Sequence, residues 1–210
     1  MRTAPTREER KAQTRADLIA AADLLFTGNG FHATSLDAIA DEAGYTKGAV
    51  YSSFESKEDL FFAVYEQRAK RGITEMEREL AAAGGGGRGL DALALAAARR
   101  RGGDDDAWLA VFFEFWAHVV RRPALRARFG EIHLRVQGPL VEALESHARE
   151  HGYVLPDDPR KLTVAVFAMQ LGLSLERLTL PELVDERLGL RMSRLLLDDF
   201  ARAGREATSD

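Results

Sequence analysis

The stretch Thr34–Ser–Leu–Asp–Ala–Ile–Ala–Asp–Glu–Ala–Gly–Tyr–Thr–Lys–Gly–Ala–Val–Tyr–Ser–Ser–Phe54 decides how the N-terminal part folds. Leu36, Ile39, Ala40 and Ala43 fall at helical spacing and predict one short helix. Thr34 and Asp37 form a start signal for it, because a hydroxyl followed three residues later by a carboxylate satisfies free amides of the first turn. Gly44 ends it. A second short helix is predicted from Thr46 to Ser53, with Val50 and Phe54 on its inward side. Upstream, Leu18, Ala22, Leu25 and Phe26 mark one face of a first helix that Gly28 and Gly30 stop. Downstream, Ser56 and Asp59 repeat the start signal and open a fourth helix, about residues 56–71, carrying Leu60, Phe61, Val64 and Tyr65.

The rest of the chain also reads as helix. The alanine and glycine run 81–87 reads as a flexible connector; it lacks the Gly-Lys-Ser/Thr ending of a phosphate loop. An alanine-rich helix is predicted over about 88–101, then a polar break at 102–106. An aromatic helix follows, with Trp108, Val111, Phe112, Phe115, Trp116 and Val119. Pro123 restarts the chain into a long helix ending near Gly152 and kinked at Gly138–Pro139. Asp158–Pro159 is an N-cap followed by proline at the first helical position, opening a helix to about Thr179. A last helix is predicted from about Pro181 to Ala203. The fold class is therefore all-α with about nine helices: residues 1–55 as a three-helix head, 56–80 as a connecting helix, and 81–210 as a C-terminal helical domain.

Composition excludes several classes. With 210 residues and 46% hydrophobic content the chain can bury a substantial core. It has no cysteine, hence no disulfide, thiolate metal site or Cys nucleophile. The charged N-terminus has no apolar signal region, and the stretch Leu162 to Leu175 reads as too short and interrupted to span a bilayer, so a cytoplasmic, non-membrane protein is expected. His147, Glu150 and His151 match the spacing of a zinc-peptidase helix, but no third ligand accompanies them, and they read as a charged helix end. No metal site, cofactor or catalytic constellation is expected, and the protein reads as a non-enzyme.

Two short helices joined by a turn at Gly44 form a helix-turn-helix, whose second helix enters the DNA major groove. Thr46, Lys47, Gly48, Ala49, Tyr51 and Ser52 then face outward. Gly48 and Ala49 allow close approach, Lys47 suits a phosphate or guanine, and Tyr51 can donate its hydroxyl to a phosphate. Thr34 and Lys57 sit where helix N-termini favour a phosphate oxygen. The net charge of −4 runs against a nucleic-acid partner. Local charge runs the other way: Arg2, Arg7, Arg10, Lys11 and Arg15 stand against Glu8 and Glu9 alone in the first fifteen residues.

The motif Thr34 to Gly44, then Tyr45 to Tyr51, then Phe54–Glu–Ser–Lys–Glu–Asp–Leu60, strongly resembles the TetR/AcrR family of bacterial repressors. Arg15, Ile19 and the run Leu25–Phe26 to Gly30–Phe31 look like that family's first helix. Ser53 departs from the pattern, where members often carry His or a bulkier polar residue. The resemblance implies a homodimeric regulator of double-stranded DNA, a repressor released from a palindromic operator by a small, apolar or aromatic effector. It implies a dimer interface on the last two helices, with Leu162, Val166, Phe167, Leu171, Leu188, Met192, Leu195 and Leu196. It also implies an effector pocket, for which Trp108, Phe112, Phe115, Trp116 and His118, with Met169 and Gln170, are candidates. The competing reading is a helical small-molecule-binding protein without DNA function.

Overall fold

Residues 6–82 and 104–208 are described by a computed structural model. Among them are eight α-helices and no strand: α1 (Arg7–Asn29), α2 (Leu36–Glu42), α3 (Lys47–Ser53), α4 (Lys57–Ala82), α5 (Asp104–Val120), α6 (Pro123–Glu150), α7 (Pro159–Thr179) and α8 (Glu186–Thr208). The alanine-rich helix expected over 88–101 lies outside the described residues. The chain divides into two compact units, Met1–Arg68 with Gly103–Phe129, and Ala69–Gly102 with Gly130–Asp210.

Helix ends follow local capping chemistry, and several sit one or more residues from where periodicity alone put them. Thr6 caps α1 in a reciprocal box: its hydroxyl accepts from Glu9 N at 3.1 Å while its own N–H donates to Glu9 Oε2 at 2.6 Å. At the other end α1 passes straight through Gly28 and stops at Gly30, whose φ of 88° suits a residue without Cβ. The N-cap of α2 is Ser35 and not Thr34: Ser35 Oγ accepts from Ala38 N at 3.1 Å. Helix α4 continues well past Arg71 to Ala82, into the start of the predicted connector. α6 runs through Gly138 and Pro139 without ending. α8 starts later than Pro181, because Asp185 is the residue whose carboxylate accepts from the Leu188 amide, at 2.7 Å.

In the first unit the core is aromatic. The Phe61 ring is stacked between Phe115, centroids 3.9 Å apart, and Trp108 at 5.1 Å, and it also meets Phe26 and Phe31. Phe26, Phe61 and Phe115 have no exposed surface. A largely buried ion pair, Arg68 Nε to Asp23 Oδ1 at 2.5 Å, joins α4 to α1, and the guanidinium also covers Trp108. Three of the residues proposed above for an effector pocket are buried in this core, Phe115, Phe112 and Trp108, and His118 is half-buried beside Phe31. An aromatic row at helical spacing packs on whatever ring-bearing helix faces it, and α1 and α4 both carry rings toward α5.

The second unit packs Leu144, Leu162, Leu197 and Phe200 into one cluster, flanked by Leu140, Val166, Leu190 and Leu196. Gln170 is buried and donates to Gly189 O at 3.0 Å and to Ser193 Oγ, tying α7 to α8. That amide thus serves the helix pair. Of the residues expected at a dimer interface, Leu162 and Leu171 are buried within the chain, whereas Met192 and Leu195 are exposed. Val166 and Leu196 lie against the cluster, and Phe167 meets the His133 ring edge-on at 4.9 Å. Burial pushes His133 down to about 4, so it is neutral at physiological pH. Among the described residues α7 alone is long and apolar enough, by length and composition, to cross a membrane, a test that the core helix of a water-soluble bundle also passes. His147 and His151 stack face to face at 4.0 Å, and Glu150 accepts from Ser146 instead of converging with them.

Phe61→Ala removes the ring on which four others pack. We expect it to lower unfolding stability by about 3–5 kcal/mol, read as a reduced urea midpoint for the first unit's aromatic fluorescence.

Candidate nucleic-acid interface

The reading helix is built from its cap upward. Thr46 Oγ1 accepts from Ala49 N at 3.3 Å, so the first turn of α3 starts where the sequence placed it. Val50, fully buried, and Phe54 just past the helix, 4% exposed, turn the apolar side of α3 inward, where it packs on α1 and α2. With that side fixed, Lys47, Gly48, Tyr51 and Ser52 must point away from the core, and all four are exposed; Tyr51 retains 60% of its surface. Thr46 is exposed beside them and Ala49 half-buried.

The turn before α3 is tight. Gly44 adopts φ of 72°, its N–H donates to Asp41 O at 3.1 Å, and Tyr45 N donates to Ala40 O at 2.9 Å. Tyr45 then anchors α3 to α1, its hydroxyl donating to Asp17 Oδ2 at 2.8 Å. From the same helix the Arg15 guanidinium lies 4.3 Å above the Phe54 ring. Sequence spacing gave no sign of either tie, since Asp17 and Tyr45 stand in separate elements.

The cations are not all free. Lys47 donates to Asp37 on α2; that hydrogen bond and the carboxylate's charge push the lysine up. Lys57 points inward: its ammonium donates to the carbonyls of Phe31 at 2.8 Å, Thr34 at 2.9 Å and His32 at 3.3 Å, and burial pushes it down. Thr34 is buried and its hydroxyl donates to Gly30 O at 2.8 Å and Leu25 O at 3.1 Å. Both side chains were expected on the phosphate side; both are turned into the protein, where backbone carbonyls of α1 and of the turn 30–34 accept from their donors.

The N-terminal geometry is that of a reading head, and family comparison extends it over the chain. Residues 18–64 match the model for bacterial regulatory proteins of the tetR family, and residues 88–202, more than half the chain, match the C-terminal domain of BetI-type transcriptional repressors. The chain belongs to the tetR family. Within the family it is 35% identical over 74 residues to the transcriptional activator FasR of Mycolicibacterium smegmatis, which covers 35% of this chain and 32% of that protein. The chain thus spans about a third of the length of the curated relatives it matches. In fold it is similar to a TetR-family regulator from Rhodococcus sp., with TM-score 0.72, 18% identity, and 90% and 99% of the two chains covered. It is also similar to a transcriptional regulator from Saccharomonospora viridis in complex with choline, with TM-score 0.61, 20% identity, and 90% and 95% covered. In this tetR-family member the two glycines near the reading head differ in kind. Gly44 needs its left-handed backbone, whereas Gly28 is helical, exposed and has nothing within 4 Å of an added Cβ. Gly44→Ala should cost about 1–2 kcal/mol, and Gly28→Ala should instead add up to about 1 kcal/mol, both read from urea unfolding curves.

Proposed function

We propose that this tetR-family protein is a transcriptional repressor that binds a palindromic DNA operator as a homodimer and is released by a small-molecule effector. The observation that carries the reading is the disposition of α3. Its core side is filled by Val50, so Thr46, Lys47, Gly48, Tyr51 and Ser52 form one outward surface at the N-terminal end of a short helix. That end of a recognition helix is the part that reaches base edges. Gly48 lets the backbone approach the groove wall, Ala49 meets a thymine methyl, and Tyr51 donates to a phosphate. Thr34 and Lys57 leave the list of contacts and act by shaping the turn before α2.

Dimerisation falls to the faces of α7 and α8 that the chain itself leaves open. Val164, Leu175 and Leu178 on α7 and Met192 and Leu195 on α8 are exposed apolar residues, with Leu188 half-buried beside them. Ala165, Ala168 and Gly172, also exposed, let a partner helix come close. The effector is recognised by the BetI-type region, residues 88–202. Trp116 and His118 on α5 and Met169 on α7 are half-buried and are the candidates that a ligand can touch.

Two tests follow. Tyr51→Phe and Lys47→Ala should each lose roughly 1–3 kcal/mol of affinity for a duplex selected by the wild-type protein from a random-sequence pool, with circular dichroism unchanged. Equal binding by both variants would mean that α3 is not the reading helix. Leu195→Glu should give a monomer by sedimentation; a mass that stays dimeric puts the interface elsewhere.

A further inference from the structure

Helix α5 belongs by sequence to the BetI-type region, residues 88–202, but it packs in the unit that holds the reading head. Its point of attachment is the turn 30–34, which joins α1 to α2. Glu114 Oε2 accepts from Phe31 N at 2.9 Å, and Oε1 accepts from His32 N at 2.8 Å. From the opposite side the Lys57 ammonium binds the carbonyls of Phe31, His32 and Thr34. The turn's two free amides thus face an anion and its free carbonyls face a cation. These are charge-assisted bonds, shorter and stronger than neutral ones. The fit is close, since a Cβ on Gly30 would stand 2.9 Å from Glu114 Oε2. The same turn inserts Phe31, 1% exposed, against Phe115 at 4.9 Å and His118 at 5.1 Å, and His118 in turn holds Glu58 Oε1 at 3.0 Å.

We infer that Glu114 is a positioning residue for DNA reading: by gripping the amides of Phe31 and His32 it fixes the turn from which α2, and so α3, is hung. Glu114 touches no reading residue. It acts through the turn: Thr34 leads directly into the Ser35 cap of α2, and Lys47 of α3 is paired with Asp37 of α2. A shift of α5 therefore moves the brace of the reading helix without disturbing α3 itself. A ligand that binds the region containing α5 changes DNA affinity only by a difference in free energy between two arrangements. The Glu114 clasp is the polar contact through which such a difference reaches the backbone of the turn. This inference rests on the regulatory reading above.

The test compares the wild type with Glu114→Gln, in which one oxygen is replaced by an amide that confronts a backbone N–H. Two duplexes are titrated, one selected by the wild type from a random pool and one scrambled from it, across a salt series. Glu114→Gln should weaken binding to the selected duplex by at least about tenfold, equivalent to about 1.4 kcal/mol. Binding to the scrambled duplex and the salt slope should stay as in the wild type, because no phosphate contact is removed. Amide exchange is read in parallel: Phe31 and His32 should exchange faster while the Leu18 to Phe26 face of α1 keeps its protection. Wild-type affinity for the selected duplex in Glu114→Gln overturns the inference alone. So does an equal loss on both duplexes or a loss of protection throughout α1, either of which makes the clasp a folding contact only. If the wild type enriches no sequence at all, the regulatory reading itself falls, and the inference with it.

Discussion

The stack on Phe61 is the contact on which the first unit depends. Phe26 comes from α1, Phe31 from the turn after it, Phe61 from α4, and Trp108 and Phe115 from α5. One ring thereby sets the separation of three helices and a turn. Close-packed rings of this kind have few alternative arrangements, since interiors are dense and respond to displacement by switching and not by flowing. The polar contacts arranged around the stack then have fixed endpoints. Arg68 with Asp23, Glu114 with the 31–32 amides, and His118 with Glu58 each bridge elements that the rings have already brought together.

From that frame the reading surface follows with little further freedom. The turn 30–34 sets the start of α2, Gly44 sets the angle between α2 and α3, and Val50 sets the rotation of α3 about its own axis. Helix α3 is too short to be stable in isolation, because a single turn fixes several residues for one hydrogen bond. Its conformation is imposed by the Thr46 cap, the Tyr45 to Asp17 bond and the burial of Val50 and Phe54. What faces outward is thus decided by what faces inward.

This ordering also explains how much was legible in the sequence. Periodicity located the helices, and the outward set on α3 could be read because a seven-residue helix with one large buried apolar residue, Val50, and a second, Phe54, just past its end has one way to face. Ends were less legible. Thr34 and Ser35 are both hydroxyl residues before an apolar run, and only the carbonyls of Leu25 and Gly30, which accept from Thr34, determine that Thr34 turns inward and Ser35 caps. Gly28 and Gly30 are equivalent by composition, and only Gly30 takes a left-handed φ. The burial of Trp108, Phe112 and Phe115 in the aromatic row of α5 was not legible because their partners lie far off in the chain. The burial of Leu162 and Leu171 within the chain was hidden for the same reason. Glu114 was invisible: its two amides lie more than eighty residues upstream, and nothing in local pattern marks a carboxylate that will end at a turn.

The chain's acidity, which counted against a nucleic-acid partner, acquires a different meaning at the reading head. Lys47 is paired with Asp37 and feels Asp41, and Lys57 is spent on backbone carbonyls, so neither is a loose cation offered to any phosphate. Nonspecific binding is driven by counterion release in proportion to the phosphates neutralised. Tying these two lysines removes them from general attraction to DNA and leaves that part to the basic residues of α1, Arg7, Arg10, Lys11 and Arg15. On the regulatory reading, the head's specific affinity has to come from contacts that depend on sequence and on the placement of α3. Useful discrimination is the ratio of specific to nonspecific binding and not the strength of either. Restraining Lys47 with Asp37 lowers the denominator of that ratio, and gripping the turn at residues 31 and 32 protects the numerator by keeping α3 in register with the groove.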